Sequence, residues 1–442
     1  MQEAVIIISL SFLITFVSCT TSSPTISEPS IGPTITADPN ATSSQTPFGP
    51  LQDLQSIPAA TPLSPLAPIT PGAVITPIPI SLSVPSNYYL SVLLDLAKHT
   101  VSVDETISYL NSTGETLYGL LLAVEPNLWK DCFIQGQIII NGLVVDGVSL
   151  DGDRLFIPLI NPLMNGETLS LFQHFDLRLP PADRYHIFGY NDYQTNLVDW
   201  YPFIVPYVPG QGWLLHPIAQ VGEHLVYDLK IMDVTLRLND TKRPVVIATS
   251  APAELISDGL QYHLEKARSF AFSASEEFQT ESTTVNGVVV TSYFYESEDS
   301  QGHTVLAEVT KALITYGMLF GPDLYPSLSV VESPFFDGME YDGLFFLSRD
   351  YYAAENGTVL NNLIDIAVHE TAHQWWYGSV GNDQALEPWL DEALATYSER
   401  LFYERNYPDV AAWQAFRIDA YAPSGWVDTD QFQFCLQSLL RL

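Results

Sequence analysis

The sequence is poor in cysteine and in basic residues, and both scarcities restrict what the chain can be. Only three cysteines occur in 442 residues, far apart and without a CxxC pair. A disulfide framework and a cysteine-based zinc site are therefore not indicated. Lysine and arginine total 17 against 51 aspartate and glutamate residues, a formal net charge of −34. Such a surface aids solubility and repels anionic polymers, so we expect no nucleic-acid partner.

Further absences narrow the class of protein. No glycine-rich phosphate loop precedes a helical segment, and no internal repeat is evident. Neither a nucleotide-binding motif nor a repeat architecture is indicated. The hydrophobic fraction of 47% and the aromatic fraction of 12% suffice to bury sizeable cores, and the length favours two or three domains. The sequence therefore predicts a multidomain, enzyme-sized globular chain.

The N-terminal segment is an apolar run with no basic residue before it. Residues 4–17 are almost entirely apolar, and the first basic residue of the chain is Lys98. We interpret residues 1–18 as a signal peptide for export to the cell envelope or the extracellular face, with an uncleaved short anchor as the alternative. The segment that ends at Cys19 loosely resembles a bacterial lipoprotein processing site. A lipid on Cys19 would then be the chain's only membrane contact.

Composition changes sharply after this segment. Of the 31 prolines, 14 lie between residues 20 and 85. Together with abundant serine and threonine, they predict a disordered tether over residues 19–86, because such a composition cannot bury enough apolar surface to fold. The tether would hold the folded part away from a membrane.

The remaining chain divides by its hydrophobic periodicity. Residues 87–275 alternate apolar and polar side chains, as in 100–107, 233–238 and 267–274, which predicts an all-β, sandwich-like N-terminal domain. Residues 276–442 differ. Apolar side chains recur there at three- and four-residue spacing within 304–320 and 360–377, with an extended stretch between the two, and this pattern predicts a mixed α/β domain.

The second of these predicted helical segments, 360–377, contains the sequence His369-Glu370-Thr371-Ala372-His373. Positions i and i+4 share one helix face, so the two imidazoles converge and suit two nitrogen bonds to one Zn²⁺ ion. Glu370 would flank this ion without binding it, as a base for a zinc-activated water. Taken alone, the pattern is also compatible with an ordinary helix that carries incidental histidines.

A catalytic zinc site needs a third protein ligand and an open position. Glu392 follows His373 by 19 positions, in a second helical stretch that Pro388 opens, and we predict that it completes the ligand set. One zinc ion per chain is expected.

The spacing of these residues is similar to that of the aminopeptidase N family of gluzincin metallopeptidases. Upstream, Gly338, Met339 and Glu340 resemble the family's exopeptidase motif, although Tyr341 stands where the family commonly has Asn. This resemblance implies a thermolysin-like catalytic domain over residues 276–442. It also implies that Gly338 and Met339 lie along the substrate backbone and that Glu340 binds its free α-amino group. Segments 199–202 and 212–217 resemble bacterial members.

Several further residues are candidates for supporting roles. A metal-bound histidine usually donates its second N–H to a carboxylate or a carbonyl, and Asp365, Asp391 and Glu399 are candidate acceptors, each of which could equally be a solvated helix acid. His216 and His224 have no partner at ligand spacing in the sequence, so we interpret them as core or surface histidines rather than ligands.

The C-terminal segment differs from what the resemblance implies. The family supplies an oxyanion-stabilising tyrosine from a helical region well beyond the third ligand. None of the four tyrosines after Glu392, which are Tyr397, Tyr403, Tyr407 and Tyr421, stands in a matching context. We therefore hypothesise that the catalytic domain is incomplete at its C-terminus. Its activity would then be impaired, because hydrogen-bond donors to the developing oxyanion often make the largest single contribution to catalysis.

These observations predict a zinc aminopeptidase that removes the first residue of peptides with a free N-terminus. The alternative is a truncated, non-catalytic zinc-binding protein of the cell envelope. Endopeptidase activity is disfavoured because a substrate without a free amine would leave the Glu340 carboxylate desolvated and unpaired.

Overall fold

In the computed structural model, the described residues are 85–218, 223–239, 241, 243–323 and 325–411. They all fall within one unit, Ile78–Leu442. The predicted signal peptide, nearly all of the predicted tether and the segment 412–442 lie outside the described residues. None of the helices in the described part is long and apolar enough to cross a membrane.

Strands make up most of the described chain before residue 276. In chain order these strands are β1 (Ser86–Asp95), β2 (Thr100–Leu110), β3 (Leu117–Ala123), β4 (Phe133–Ile140), β5 (Leu143–Val144), β6 (Ser149–Asp151), β7 (Arg154–Leu163), β8 (Thr168–Arg178), β9 (Gly189–Tyr190), β10 (Thr195–Leu197), β11 (Phe203–Ile204), β12 (Tyr207–Val208), β13 (Gly212–Trp213), β14 (Lys230–Leu238), β15 (Val246–Thr249), β16 (Ala253–Ile256), β17 (Gly259–Ala267) and β18 (Phe272–Ser275). A short 3-10 turn, Glu125–Leu128, follows β3.

These strands form four sheets. The largest has the order β16-β17-β14-β1-β2-β8-β4-β5, and the others have the orders β15-β18-β10-β9, β11-β3-β7-β6 and β12-β13. Strands β1 and β14 are parallel neighbours. Along β2 every second side chain is buried, as expected for a sheet with one face on a core. Core residues of the largest sheet share one apolar cluster with those of β3 and β7.

Between residues 276 and 411, the described part of the chain combines one sheet with four helices. Strands β19 (Gln279–Val285), β20 (Val288–Phe294), β21 (Ser327–Ser333), β22 (Gly338–Tyr341) and β23 (Leu344–Ser348) form a sheet of order β19-β20-β21-β23-β22. A 3-10 turn, Glu296–Glu298, follows β20. The helices are α1 (Asp299–Phe320), α2 (Arg349–Ala353), α3 (Asn362–Ala372) and α4 (Trp389–Asn406).

This five-stranded sheet is buried on both faces at its centre. Every residue of β21 and β23 is buried. Val330 and Phe345 belong to the cluster formed with α1, α3 and α4, whereas the adjacent Val331 and Phe346 belong to the cluster of the preceding sheets. Continuous apolar strands of this kind are typical of sheets covered on both sides. The fold is thus largely β-sheet with few helices, and apolar packing is continuous across residue 276.

Most predicted elements are confirmed, and two need correction. The alternating pattern within 267–274 does not form one strand, because β17 ends at Ala267 and β18 begins at Phe272. Between them, the backbone N–H groups of Arg268 and Ser269 donate to the carboxylate of Asp342 rather than to a neighbouring strand.

The helix predicted within 360–377 ends earlier, at Ala372. Beyond this residue, the N–H of Gly378 donates to the carbonyl of His373 and turns the chain away from the helix axis.

Candidate active site

Helix α3 places the first three predicted site residues. The helix begins after Asn361, whose side chain accepts a hydrogen bond from the N–H of Ile364, a favourable N-cap. His369 and Glu370 lie in the last turn, and His373 caps the helix end with helical backbone angles. The i, i+4 relation therefore holds, although His373 is already the capping residue.

The two imidazole rings are held by their Nδ1 atoms. Nδ1 of His369 lies 2.7 Å from Oε1 of Glu399, and Nδ1 of His373 lies 2.9 Å from the carbonyl oxygen of Trp376. Both acceptors fix the tautomer with the proton on Nδ1, which leaves the Nε2 lone pairs free. The two Nε2 atoms face each other at 3.0 Å.

Glu392 lies in the first turn of α4, and its side chain reaches the two Nε2 atoms. Its Oε2 lies 3.3 Å from Nε2 of His369. Loss of hydration opposes the charged form of Glu392, but its hydrogen bond with His369 and the electrostatic attraction of His373 and His369 outweigh this effect and lower the pKa of this carboxyl to about 2. The side chain of Glu392 is 49% exposed, so the site is open to solvent on this side.

These three residues fit a zinc ion. One ligand atom from each of His369, His373 and Glu392 lies within 4.8 Å of the other two, and two imidazoles with one carboxylate form a familiar catalytic zinc set. Facing Nε2 lone pairs repel each other unless a cation or a proton lies between them. The donor set, its spacing and its tautomers therefore suit a metal ion.

Glu370 lies beside the ligand set and is 5% exposed. Its Oε2 is buried and has no hydrogen-bond partner among the described residues. Burial and the nearby charge of Glu340 raise its pKa well above the ordinary value of 4.5. Strand β22 passes directly over it at Gly338, where an added Cβ would overlap the Glu370 carboxylate. Only glycine leaves room for this approach.

Glu340 lies on β22, an edge strand of the five-stranded sheet, and its side chain points toward the predicted ligand set. It is 6% exposed, and its Oε1 lies 3.8 Å from Nδ1 of His373. This oxygen has no hydrogen-bond partner in the described part of the chain. Burial, followed by the charge of Glu392, raises the pKa of Glu340 to about 8. Met339 is the preceding residue of the strand and pairs with Phe346.

Of the three candidate supporting acids, Glu399 contacts the imidazole ring of a predicted ligand, His369. Asp391 accepts a hydrogen bond from the N–H of Glu392 at 2.8 Å, and Asp365 accepts one from the hydroxyl of Tyr403 at 2.6 Å. The charge of Asp391 acts on His373 without a direct hydrogen bond. Packing between α3 and α4 selects Glu399, which sequence spacing does not distinguish from the other two.

The structure adds Glu223, which sequence reasoning missed. The chain before β14 brings this residue to the site, where loss of hydration and the charges of Glu340, Asp391 and Glu392 raise its pKa well above 4.5. Asp199 adds to the same negative field. No local motif marks Glu223, because its partners come from distant elements.

The described tyrosines that follow Glu392 in the sequence have other hydrogen-bond partners or are exposed. Tyr403 bonds to Asp365 and to the carbonyl of Val359, Tyr407 bonds to Glu308, and Tyr397 is 49% exposed on α4. Tyr421 lies outside the described residues, as does the segment on which the hypothesis of an incomplete domain depends.

Comparison with known proteins finds a family match and several relatives. Residues 310–432 match the peptidase family M1 domain. Curated relatives include aminopeptidase M1-D of Oryza sativa subsp. japonica, 31% identical over 31% of this chain and 16% of the relative. Aminopeptidase N of Lactobacillus delbrueckii subsp. lactis is 25% identical over 43% of this chain and 24% of the relative. The chain spans less than a quarter of the length of these curated relatives.

A solved structure shows a similar fold. The M1 zinc metallopeptidase of Deinococcus radiodurans, crystallised as a point mutant, superposes with a TM-score of 0.50 at 16% identity and covers 75% of each chain. Residues 310–432 thus carry a peptidase family M1 domain, which is consistent with the resemblance of this chain to the aminopeptidase N family of gluzincins.

Proposed function

We propose that this chain is a zinc-dependent aminopeptidase that hydrolyses the first peptide bond of substrates with a free N-terminus. His369, His373 and Glu392 would hold one zinc ion. When bound, zinc acts as a Lewis acid and lowers the pKa of a coordinated water to about 7. The observation that carries the aminopeptidase assignment is Glu340, a buried carboxylate beside the ligand set with an unpartnered oxygen.

Glu370 supplies the proton chemistry in this proposal. Its buried Oε2 lacks a hydrogen-bond partner in the described chain and can accept a proton from the attacking water. Burial and the charge of Glu340 raise the pKa of Glu370 above its ordinary value, which makes its carboxylate a stronger base toward the proton that is later passed to the departing amine.

Glu340 restricts the reaction to the chain end. A buried carboxylate without a counter-charge is costly, and an α-ammonium group would neutralise it through charge-assisted hydrogen bonds. Glu223 and Asp199 add to the negative field around Glu340. An acetylated N-terminus carries no positive charge and would leave these carboxylates uncompensated.

Strand β22 supplies the backbone contacts. It pairs with β23 on one side only, and no other described strand pairs with its second edge. An extended peptide can add to such an edge through main-chain hydrogen bonds. Gly338 and Met339 would lie along the substrate backbone, and Glu340 would reach its amino end.

The wider architecture and location belong to the same proposal. Residues 87–275 would form a β-sandwich-like domain, and residues 276–442 a thermolysin-like catalytic domain. The apolar run in residues 4–17 supports export to the cell envelope or beyond, with lipidation at Cys19 as the membrane anchor.

The test compares an aminoacyl 4-nitroanilide with its N-acetylated counterpart, with zinc measured on the same protein. We expect cleavage of the free-amine substrate alone and no cleavage by Glu370→Gln. Glu340→Gln should lower kcat/KM about 10- to 100-fold, because it removes the negative charge from the group that accepts hydrogen bonds from the substrate ammonium. Glu387→Gln, at an exposed position, is the matched control.

Each failure has a separate meaning. Equal cleavage of the acetylated substrate contradicts the aminopeptidase assignment. One bound zinc per chain without cleavage of either substrate favours the non-catalytic alternative. If the protein binds no zinc, both the aminopeptidase assignment and the non-catalytic zinc-binding alternative are contradicted.

A further inference from the structure

A second group of potential metal ligands lies in the sheet region. Glu125 begins the 3-10 turn after β3, Asp153 lies in the turn between β6 and β7, and His224 lies in the chain before β14. One ligand atom from each lies within 4.8 Å of the other two. These residues are far apart in sequence, and the fold brings them together.

The distances within this group are those of metal ligands rather than of hydrogen bonds. Nε2 of His224 lies 3.3 Å from Oε2 of Glu125 and 3.6 Å from Oδ2 of Asp153. A charge-assisted hydrogen bond would measure about 2.7 to 2.9 Å. Ligands about 2.0 to 2.1 Å from a tetrahedral zinc ion are about 3.4 Å apart. The distance between His369 and Glu392 in the candidate active site is the same 3.3 Å.

The three atoms that face each other are also the unsatisfied atoms of these side chains. Glu125 Oε2, Asp153 Oδ2 and His224 Nε2 are buried, and none has a hydrogen-bond partner among the described residues. The side chain of Asp153 is 6% exposed and that of His224 is 10% exposed. Buried polar atoms without a partner are costly, so their convergence on one point indicates a ligand that contacts all three.

Charge also favours a cation at this point. Two carboxylates and a neutral imidazole carry a charge of −2, which a divalent ion balances.

We propose that Glu125, Asp153 and His224 form a second, structural zinc site, separate from the candidate active site. One nitrogen and two carboxylate ligands suit Zn²⁺ better than Ca²⁺, which prefers oxygen ligands throughout. The ion would join the end of β3, the β6–β7 turn and the segment before β14. Glu223, adjacent to His224 in the chain, would thereby be fixed beside Glu340.

The test measures zinc in a variant that lacks the first site. Full-length protein with His369→Ala and His373→Ala is dialysed against Zn²⁺, and bound metal is counted by mass spectrometry. We expect one zinc per chain and a higher unfolding midpoint with Zn²⁺ than with a chelator. Adding Asp153→Asn should abolish the bound zinc. Adding Asp151→Asn, at an exposed position two residues away, should leave it bound.

Circular dichroism establishes that each variant is folded, and His224→Gln provides an independent second disruption. A folded double variant that binds no zinc overturns the proposal and leaves His224 facing the two carboxylates without a metal ion. Zinc that survives both Asp153→Asn and His224→Gln also overturns it. Because the double variant lacks the candidate active site, neither result depends on peptidase activity.

Discussion

Gly338 lies where strand β22 passes the carboxylate of Glu370, and an added methyl group at this position tests whether their close approach is required. A Cβ at residue 338 would lie 2.6 Å from Cγ2 of Ile366 and 2.7 Å from Cδ of Glu370. Carbon atoms in favourable contact are about 3.5 to 4.0 Å apart. Gly338→Ala therefore requires the strand or the Glu370 side chain to move by about 1 Å.

The expected effect is larger on activity than on folding. A displacement of about 1 Å at a catalytic group can cost about 100-fold in rate. Overpacking in a well-packed core costs about 1–3 kcal/mol, and β22 is an edge strand with room to shift outward. We therefore expect Gly338→Ala to lower kcat about 100-fold and to destabilise the fold by about 1 kcal/mol. Zinc content should not change, because the added methyl group does not overlap a predicted ligand.

The assay measures kcat and KM with an aminoacyl 4-nitroanilide, together with bound zinc and the unfolding midpoint. Gly317→Ala is the matched control. This glycine lies in helix α1, and the nearest atom to its added Cβ would be Nδ2 of Asn286 at 3.8 Å, an ordinary contact. Alanine is favoured over glycine in a helix by about 1 kcal/mol, so activity should be unchanged. Equal kcat values for the two variants would refute the reasoning.

Two further predictions concern acids held by the fold. Glu399→Gln weakens the orientation of His369 and should lower zinc affinity about 10- to 100-fold in competition with a chromogenic chelator; an unchanged affinity would contradict this role. Burial raises the pKa of Glu105 from 4.5 to about 8, so its contribution to stability is complete below its unfolded pKa and falls as the pH rises toward 8. Glu105→Gln should flatten the decline of the unfolding midpoint between about pH 5 and about pH 8, whereas an unchanged slope would show that other groups cause it.

The features of the candidate site that follow from local geometry were predictable from the sequence. A helix fixes the relation of positions i and i+4, so two histidines at that spacing face one point wherever the helix lies. Pro388 immediately precedes helix α4 in the structure, as expected, so Glu392 lies in the first turn of that helix. Alternation in 100–107 likewise predicted a strand, since one face of a sheet is buried against a core.

The features that depend on packing between distant elements were not predictable. Glu399, Asp365 and Asp391 are equivalent as helix acids in the sequence, and only the contact between α3 and α4 selects Glu399 for His369. The space that Gly338 leaves beside Glu370 exists because β22 crosses α3. Glu223 approaches Glu340 through a segment with no periodic pattern.

His224 shows the same limit most clearly. Its sequence neighbourhood contains no residue at ligand spacing, which predicts a core or surface histidine. In the fold, however, its Nε2 faces two carboxylate oxygens at 3.3 and 3.6 Å. A motif is readable when one helix carries the ligands, because the helix repeats its geometry in every protein. Ligands from three separate segments share no spacing, and only the position of unsatisfied buried atoms reveals that they converge.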